Sequence, residues 1–362
     1  MATIFGTVGL GDSDRVFART EGQSVIYDIA RQYVAERNAD LMQQMGLFLQ
    51  EQTESYKERF KLPGGGHLEE RGGGTAPVAS AKTTGYWDVA YPLFDFGRAV
   101  SFDFVTRGYM TAAEMQQHID GVIAANVNTV RHQMLRRLFN SNAQTVTDER
   151  VGSLTVQALA NGDSTLYPPV QGATAEATDN HYIETNYTSA NISDTNNPLV
   201  TIERELVEHF GGSGTGYSNV MVLINTAEQA KIEALANFVE VPDNYVRPGQ
   251  DTAVPFGLPT IPNSARLIGR SNGCWVAVWD WIPATYMLGI HLEAPKPLKM
   301  RVDLMDTGLG SGLQLRAEDE RFPLTTASWV NRFGFGVGNR LNGVMVEVAA
   351  GGSYTVPSGY AF

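Results

Sequence analysis

The sequence predicts an α+β fold, on three observations. Met115, Ile119, Val122, Ile123, Val127, Val130, Met134 and Leu138 recur at helical spacing and make one long apolar stripe. Strand-type runs crowd into residues 83–105 and dominate again from Leu267 onward. Between these regions, the all-apolar run Val220-Met221-Val222-Leu223-Ile224 reads as a buried strand flanked by helical stretches.

Composition bounds the rest. The 362 residues, 43% hydrophobic and 10% aromatic, are ample for a large core or for two or three modules of roughly 150 residues each. Charged residues make up only 18%, against about 25% in an average soluble protein. A folded chain with so little charge to cover itself often covers its surface with copies of itself. The net charge of −12 argues against tight nucleic-acid binding over the whole surface, because phosphate neutralisation needs clustered Lys and Arg; it leaves room for loose contact from a local basic patch. The single cysteine, Cys274, excludes an intrachain disulfide framework and a Cys-based zinc cage.

Met1-Ala2-Thr3-Ile4-Phe5-Gly6 has no basic segment before an apolar run, so no signal peptide is expected. No stretch approaches the ~18 apolar residues of a membrane span, and no membrane partner is expected. The sequons at Asn186 and Asn191 read as chance matches, and the default compartment is a reducing cytoplasm.

Taken in order, residues 1–22 carry Gly6, Gly9, Gly11 and Gly22 without a period and read as an extended arm. From about Ser24 to Phe60, Ile26, Ile29, Tyr33, Leu41, Met45 and Phe48 recur at helical steps, with Gly46 weakening the middle. Such a helix packs either on its own core or partly on a neighbouring subunit. Residues 63–74 hold two Gly triplets and read as a flexible loop; the Lys-Ser/Thr end of a phosphate-binding loop is missing.

From Thr83 to Val105, Trp87, Tyr91, Phe94, Phe96, Phe102 and Phe104 crowd into a strand pattern with a bend expected at Gly97-Arg98. Alone, this arm would expose both an edge and an apolar face, a hazard that another subunit removes. Thr111-Ala112-Ala113-Glu114 is a capping box that opens the long helix, and Arg136 and Arg137 suit its C-terminal end. At 1.5 Å per residue it spans about 42 Å.

Residues 141–197 read as short strands and surface loops. A helix over Pro198–Phe210 ends at Gly211-Gly212-Ser213-Gly214, and another runs from Thr226 to about Phe238. The proline-rich stretch 240–265 is a loop. Strands follow at Cys274–Trp281, Tyr286–Leu292, Leu298–Leu304 and Leu313–Ala317, with a final pair of strands over Trp329–Val348.

No catalytic constellation emerges. The six histidines (67, 118, 132, 181, 209 and 291) never fall in metal-ligand spacing and read as solvated or satisfied in the core. Gly308-Leu309-Gly310-Ser311-Gly312 fits neither a dinucleotide fingerprint nor a nucleophile elbow. Glu318-Asp319-Glu320 reads as a solvated face rather than a glycosidase pair, and Cys274 as a buried inert thiol. No catalytic, cofactor-binding or metal-binding residue is therefore expected, nor an enzyme.

The order of elements resembles the major capsid protein of tailed bacteriophages, whose fold is shared with encapsulin shells. The residues carrying the resemblance run almost the whole chain, closing with Trp329-Val330-Asn331-Arg332-Phe333-Gly334-Phe335 and Leu341-Asn342-Gly343-Val344-Met345-Val346. The resemblance implies an N-terminal arm at 1–60 and an extended β loop at 61–105. A peripheral domain at 106–197 would carry a spine helix at 111–140. An axial α/β domain would cover 198–328, and 329–362 would return to the peripheral β domain.

It implies copies assembling into hexamers and pentamers of an icosahedral shell around double-stranded DNA bound non-specifically. Trp87, Tyr91, Phe94, Phe96, Phe102 and Phe104 would lie at inter-subunit contacts. No coiled-coil prodomain precedes the arm, so the implied partners include a separate scaffolding protein, with a portal and a decoration protein. The implied location is the virion, after assembly in the host cytoplasm. Lys61 and Lys82 in the loop and Asn331, Asn339 and Asn342 in the last strands do not match a crosslinking pair residue by residue. An encapsulin-like compartment is the alternative within the fold, and a β-rich binding protein or hydrolase the alternative outside it.

Overall fold

The computed structural model describes residues 23–61, 86–103, 109, 111–173, 175–211, 219–240, 261–262, 264–304, 311–317 and 324–362. The arm at 1–22, both Gly triplets, Phe104, the proline-rich loop, most of Gly308–Gly312 and Glu318-Asp319-Glu320 lie outside these residues. The chain divides into two compact units: residues 1–43, 92–134 and 300–335, and residues 44–91, 135–299 and 336–362.

In the first unit, helix α1 (Gln23–Gln44) ends well short of the expected Phe60. Gly46 falls in the turn that stops it. Beyond, Leu49–Thr53 forms strand β1 and Lys57–Lys61 forms β2, both in the second unit. Lys57-Glu58-Arg59-Phe60-Lys61 alternates in exposure with a period of two, which a helix cannot use.

Helix α2 (Ala112–Phe139) matches the expected spine helix closely. The capping box forms as anticipated: the Thr111 N–H donates to Glu114 Oε2 at 2.8 Å, and the Glu114 N–H donates to Thr111 Oγ1 at 3.3 Å. Its stripe of Ile119, Val122 and Ile123 joins Val34 of α1, Leu313, Leu315 and Trp329 in the first unit's core.

The aromatic stretch 83–105 does not make one continuous arm, nor does it bend at Gly97-Arg98. It breaks at Tyr91-Pro92-Leu93 into β3 (Tyr86–Ala90) and β4 (Phe94–Asp103). Pro92 has no N–H for a ladder. β3 pairs antiparallel with β2, whereas all of β4 pairs with the long strand β15 (Leu324–Val337), from Phe94 opposite Phe333 to Asp103 opposite Leu324. Gly97 stays inside β4, opposite Val330; a Cβ there would lie 3.3 Å from the Trp329 carbonyl. β13 (Leu298–Val302) and β14 (Gln314–Ala317) are also neighbours of β15.

The second unit holds the hairpin of β5 (Gln144–Asp148) and β6 (Gly152–Val156). It also holds a seven-stranded mixed sheet in the order β7-β16-β12-β8-β11-β10-β9. These strands are β7 (Tyr182–Glu184), β8 (Val220–Ile224), β9 (Val239–Glu240), β10 (Arg266–Ser271), β11 (Cys274–Val278), β12 (Tyr286–His291) and β16 (Val344–Glu347). β15 and β16, expected as a final pair, belong to different sheets. β7 comes from the segment expected to be peripheral and β16 from the C-terminal return, so both complete a sheet otherwise drawn from 220–291.

Helix α3 (Pro198–Phe210) packs Leu199, Ile202 and Leu206 on this sheet. Asn197 caps it, accepting from the Leu199 N–H at 3.0 Å, and Gly211 ends it at φ +80°. The close approach depends on Gly289 in β12, where a Cβ would meet Ile202 Cγ2 at 2.1 Å. Helix α4 (Thr226–Glu233) is shorter than expected, because the Leu235 and Phe238 N–H groups close three-residue turns instead.

Candidate functional site

The residues expected to make inter-subunit contacts split into three groups. Tyr91 is fully enclosed by its own chain. Its hydroxyl donates to Glu58 Oε2 at 2.9 Å, and Glu58 in turn accepts from Lys299 Nζ at 3.0 Å. Burial, with the Glu58 carboxylate adding to it, pushes the Tyr91 hydroxyl well above its ordinary range. Gly336 makes room: a Cβ there would come within 2.5 Å of Tyr91 Cδ1.

Trp87, Phe94 and Phe96 are half-buried. Trp87 stacks on Phe60 at 5.7 Å between centroids and leans on Tyr167 at 5.7 Å, with its indole N–H unpartnered. Phe96 stacks on Phe333 at 4.8 Å and meets Phe94 edge-on at 6.3 Å. Phe102 is fixed by backbone register opposite Thr325, and Phe104 lies outside the described residues. Among the described residues, no strand pairs with the second edge of β4.

Charge flanks these rings. In the β2–β3 hairpin, Asp88 accepts from Arg59 Nε at 2.6 Å and pairs with Lys57 Nζ at 2.6 Å. These hydrogen bonds, Arg59's first, hold the Asp88 carboxyl well below the usual carboxylate range. Tyr86 is exposed, with the Arg59 guanidinium 4.2 Å over its ring. In the first unit, Arg332 bonds the buried Asp303 at 2.5 Å, with Asp95 at 3.9 Å.

Arg340 anchors the second unit from inside. Fully buried, it donates to Ala158 O at 2.8 Å, Leu159 O at 3.2 Å, Asn161 Oδ1 at 3.2 Å, Asp163 Oδ2 at 2.8 Å and Thr165 Oγ1 at 3.1 Å. Its guanidinium also lies 5.7 Å from the Tyr167 ring. Sequence reasoning missed this clasp, since nothing local distinguishes Arg340 from Arg332.

The chemistry-bearing residues fall as follows. Cys274 is buried in β11, with its Sγ 4.0 Å from the Leu199 carbonyl. His291 is a satisfied core histidine: its Nδ1 accepts from the Ala294 N–H at 3.1 Å and its Nε2 faces the Gly211 carbonyl at 3.3 Å. Burial lowers its pKa, as a neutral ring requires. His181 and His209, unremarkable by spacing, converge on Asp179. No described helix is long and apolar enough to cross a membrane.

No family model matches the sequence, and no curated protein matches it. Solved structures do. A chain from Mycobacterium phage Patience superposes with a TM-score of 0.69 at 19% identity, covering 99% of this chain and 98% of that one. A chain of the bacteriophage PhiM1 mature capsid follows at 0.52 and 10% identity, covering 96% and 92%. A chain of the cyanophage P-SCSP1u capsid gives 0.50 at 9% identity, over 84% and 87%. The chain thus has the fold of these phage proteins.

Proposed function

We propose that this chain is the structural subunit of an icosahedral viral capsid, with copies joining as hexamers and pentamers around double-stranded DNA. What supports this reading is one fold, continuous along nearly the whole chain, in common with a Patience chain and with a chain of the PhiM1 mature capsid.

The subunit acts mechanically. Residues 61–105 serve as the extended loop and carry Trp87, Phe94, Phe96 and Phe102 toward a neighbour. Tyr91 instead braces the base of the loop from within. At about 25 cal/mol per Å², several hundred Å² of apolar contact per loop contributes several kcal/mol before ordering costs, and a closed shell repeats it. Among the described residues, β4 keeps one edge without a partner strand and Tyr86 is exposed, and both are able to take such contacts. The net charge of −12 keeps contact with packaged DNA loose and non-specific. A separate scaffolding protein, a portal and a decoration protein complete the partner set, and the mature location is the virion.

Lys61 and Tyr86 are directly opposite in the β2–β3 ladder. Replacing residues 62–85 with Asn-Gly therefore closes a two-residue hairpin without altering either strand. Electron microscopy of the purified wild-type chain is expected to show closed particles. The shortened chain is expected to keep its circular dichroism and melting transition but fail to form them. A wild-type chain that remains a compact monomer at high concentration would sink the capsid reading. Particles holding a protein cargo and no nuclease-protected DNA would replace it with the encapsulin-type compartment.

A further inference from the structure

The histidines of the second unit solve their hydrogen bonding in two ways. His291 faces one donor and one acceptor, so a neutral ring satisfies both. His181 faces acceptors on both sides. Its Nδ1 lies 2.9 Å from the Gly343 carbonyl, which can only accept, so Nδ1 carries the proton. A neutral ring then turns the bare lone pair of Nε2 toward the Asp179 carboxylate, 3.1 Å away. The ring is fully buried, so water does not resolve the conflict. His209 Nε2 reaches the same oxygen, Asp179 Oδ2, at 2.5 Å.

A crowd of negative charge surrounds this meeting point. The carboxylates of Asp179, Glu205 and Glu208 lie within 4.8 Å of one another, and Glu208 reaches within 3.9 Å of His209 Nε2. A cation resolves both problems: it takes the Nε2 lone pairs as ligands and neutralises the carboxylates.

We propose that His181 Nε2, His209 Nε2 and Asp179 Oδ2 form a binding site for a divalent cation of the zinc class, with Glu208 as a fourth donor. The donor atoms of Asp179, His181 and His209 all lie within 4.8 Å of one another. Tetrahedral zinc with bonds of about 2.0–2.1 Å sets its ligand atoms about 3.3–3.4 Å apart. The two Nε2-to-carboxylate distances bracket that spacing from below, and the 3.9 Å from Glu208 brackets it from above.

The outer groups are those a metal site requires. The Gly343 carbonyl fixes the His181 tautomer and ring plane. The Asn180 N–H occupies Asp179 Oδ1 at 2.7 Å, leaving Oδ2 free for the centre. The His181 backbone is held on both sides, donating to Ala160 O and accepting from Met345 N–H, each at 2.8 Å. Glu208, one third exposed, is able to turn in as the fourth ligand. Bound metal would tie the C-terminal turn of α3 to the β7–β16 edge of the seven-stranded sheet. The ligand set is mixed N/O, which suits zinc and excludes any role for Cys274.

This inference stands independently of the capsid reading, and its test uses the full chain. Chelator-stripped protein is titrated with zinc ion and its metal content measured by mass spectrometry. We expect one zinc per chain, a melting temperature that rises with zinc and falls with chelator, and zinc affinity reduced at least about tenfold in His209→Gln and Asp179→Asn. X-ray absorption of the zinc-loaded wild type should show imidazole scattering in a shell at about 2.0–2.1 Å, a result that holds even if a variant fails to fold. The proposal is overturned if the wild type takes up no stoichiometric zinc. It is equally overturned if both variants bind zinc as the wild type does, or if the shell contains oxygen alone.

Discussion

Replacing Arg340 with methionine removes five donated hydrogen bonds while keeping most of the side-chain volume. Ala158 and Leu159 are buried, so each carbonyl left without its donor costs about 1–3 kcal/mol. Asn161, Asp163 and Thr165 are closer to solvent and recover part of their loss through water. Asp163, with 32% of its side chain exposed, rehydrates once its partner is gone, and that pair adds no more than about 1 kcal/mol. Together these terms give about 2–7 kcal/mol, a range centred on the ~3–5 kcal/mol typical of breaking a buried pair from one side.

Against the ~5–15 kcal/mol of a typical domain, that is a large share of the stability. Arg340→Lys retains the charge but offers a single point of donation, which cannot span backbone carbonyls and side chains on both flanks of the 158–165 loop; an intermediate loss is expected. Urea denaturation of the wild-type and variant chains, followed by fluorescence, measures the difference. A methionine variant within about 0.5 kcal/mol of wild type would mean that the 158–165 loop holds its shape without Arg340, and the reasoning would fail.

Two further perturbations test the packing and the charges. Gly289→Ala places a Cβ 2.1 Å from Ile202 Cγ2 and should cost about 1–3 kcal/mol in the same denaturation assay. Combined with Ile202→Ala, which clears the space, it should cost clearly less than the sum of the two single changes; strict additivity would show that α3 does not rest on β12 at that point. Acid should also weaken the fold through Asp88 and Asp163. Arg59 and Lys57 lower Asp88; burial is the largest influence on Asp163 and opposes the shift, but the Arg340 hydrogen bond and charge, together with the Thr165 hydrogen bonds, outweigh it. A carboxyl whose folded value lies below its unfolded one, near 3.9, contributes stability that is complete above that value. That contribution is lost as pH falls through the folded value. The urea midpoint should therefore fall below about pH 4, and less steeply in Asp163→Asn; an unchanged slope in that variant would remove Asp163 from the account.

Local signals were enough to place several elements from the sequence. Helix α2 was legible because its stripe, its Thr111–Glu114 box and its terminal arginines all lie within one segment and reinforce one another. Helix α3 and strand β8 were legible for the same reason: Pro198 opens one and Gly211 closes it, and an unbroken apolar run makes the other. The order of these pieces carried the resemblance to phage capsid chains. What the residues could not specify alone was pairing. Phe94 meets Phe333, and β16 lies between β7 and β12, because burial of whole faces selects partners far apart along the chain.

The break at Pro92 and the shortening of α1 were decided the same way, by which sheet each short strand could join. Tyr91 looked like a contact for a neighbour, yet Gly336 gives its ring a place inside its own chain. The meeting of Asp179, His181 and His209, and the clasp of Arg340 on the 158–165 loop, leave no periodic trace. Their geometry is created when β7, α3 and the Gly343 turn pack together. A residue's chemistry depends on its neighbours in space, and only folding supplies them.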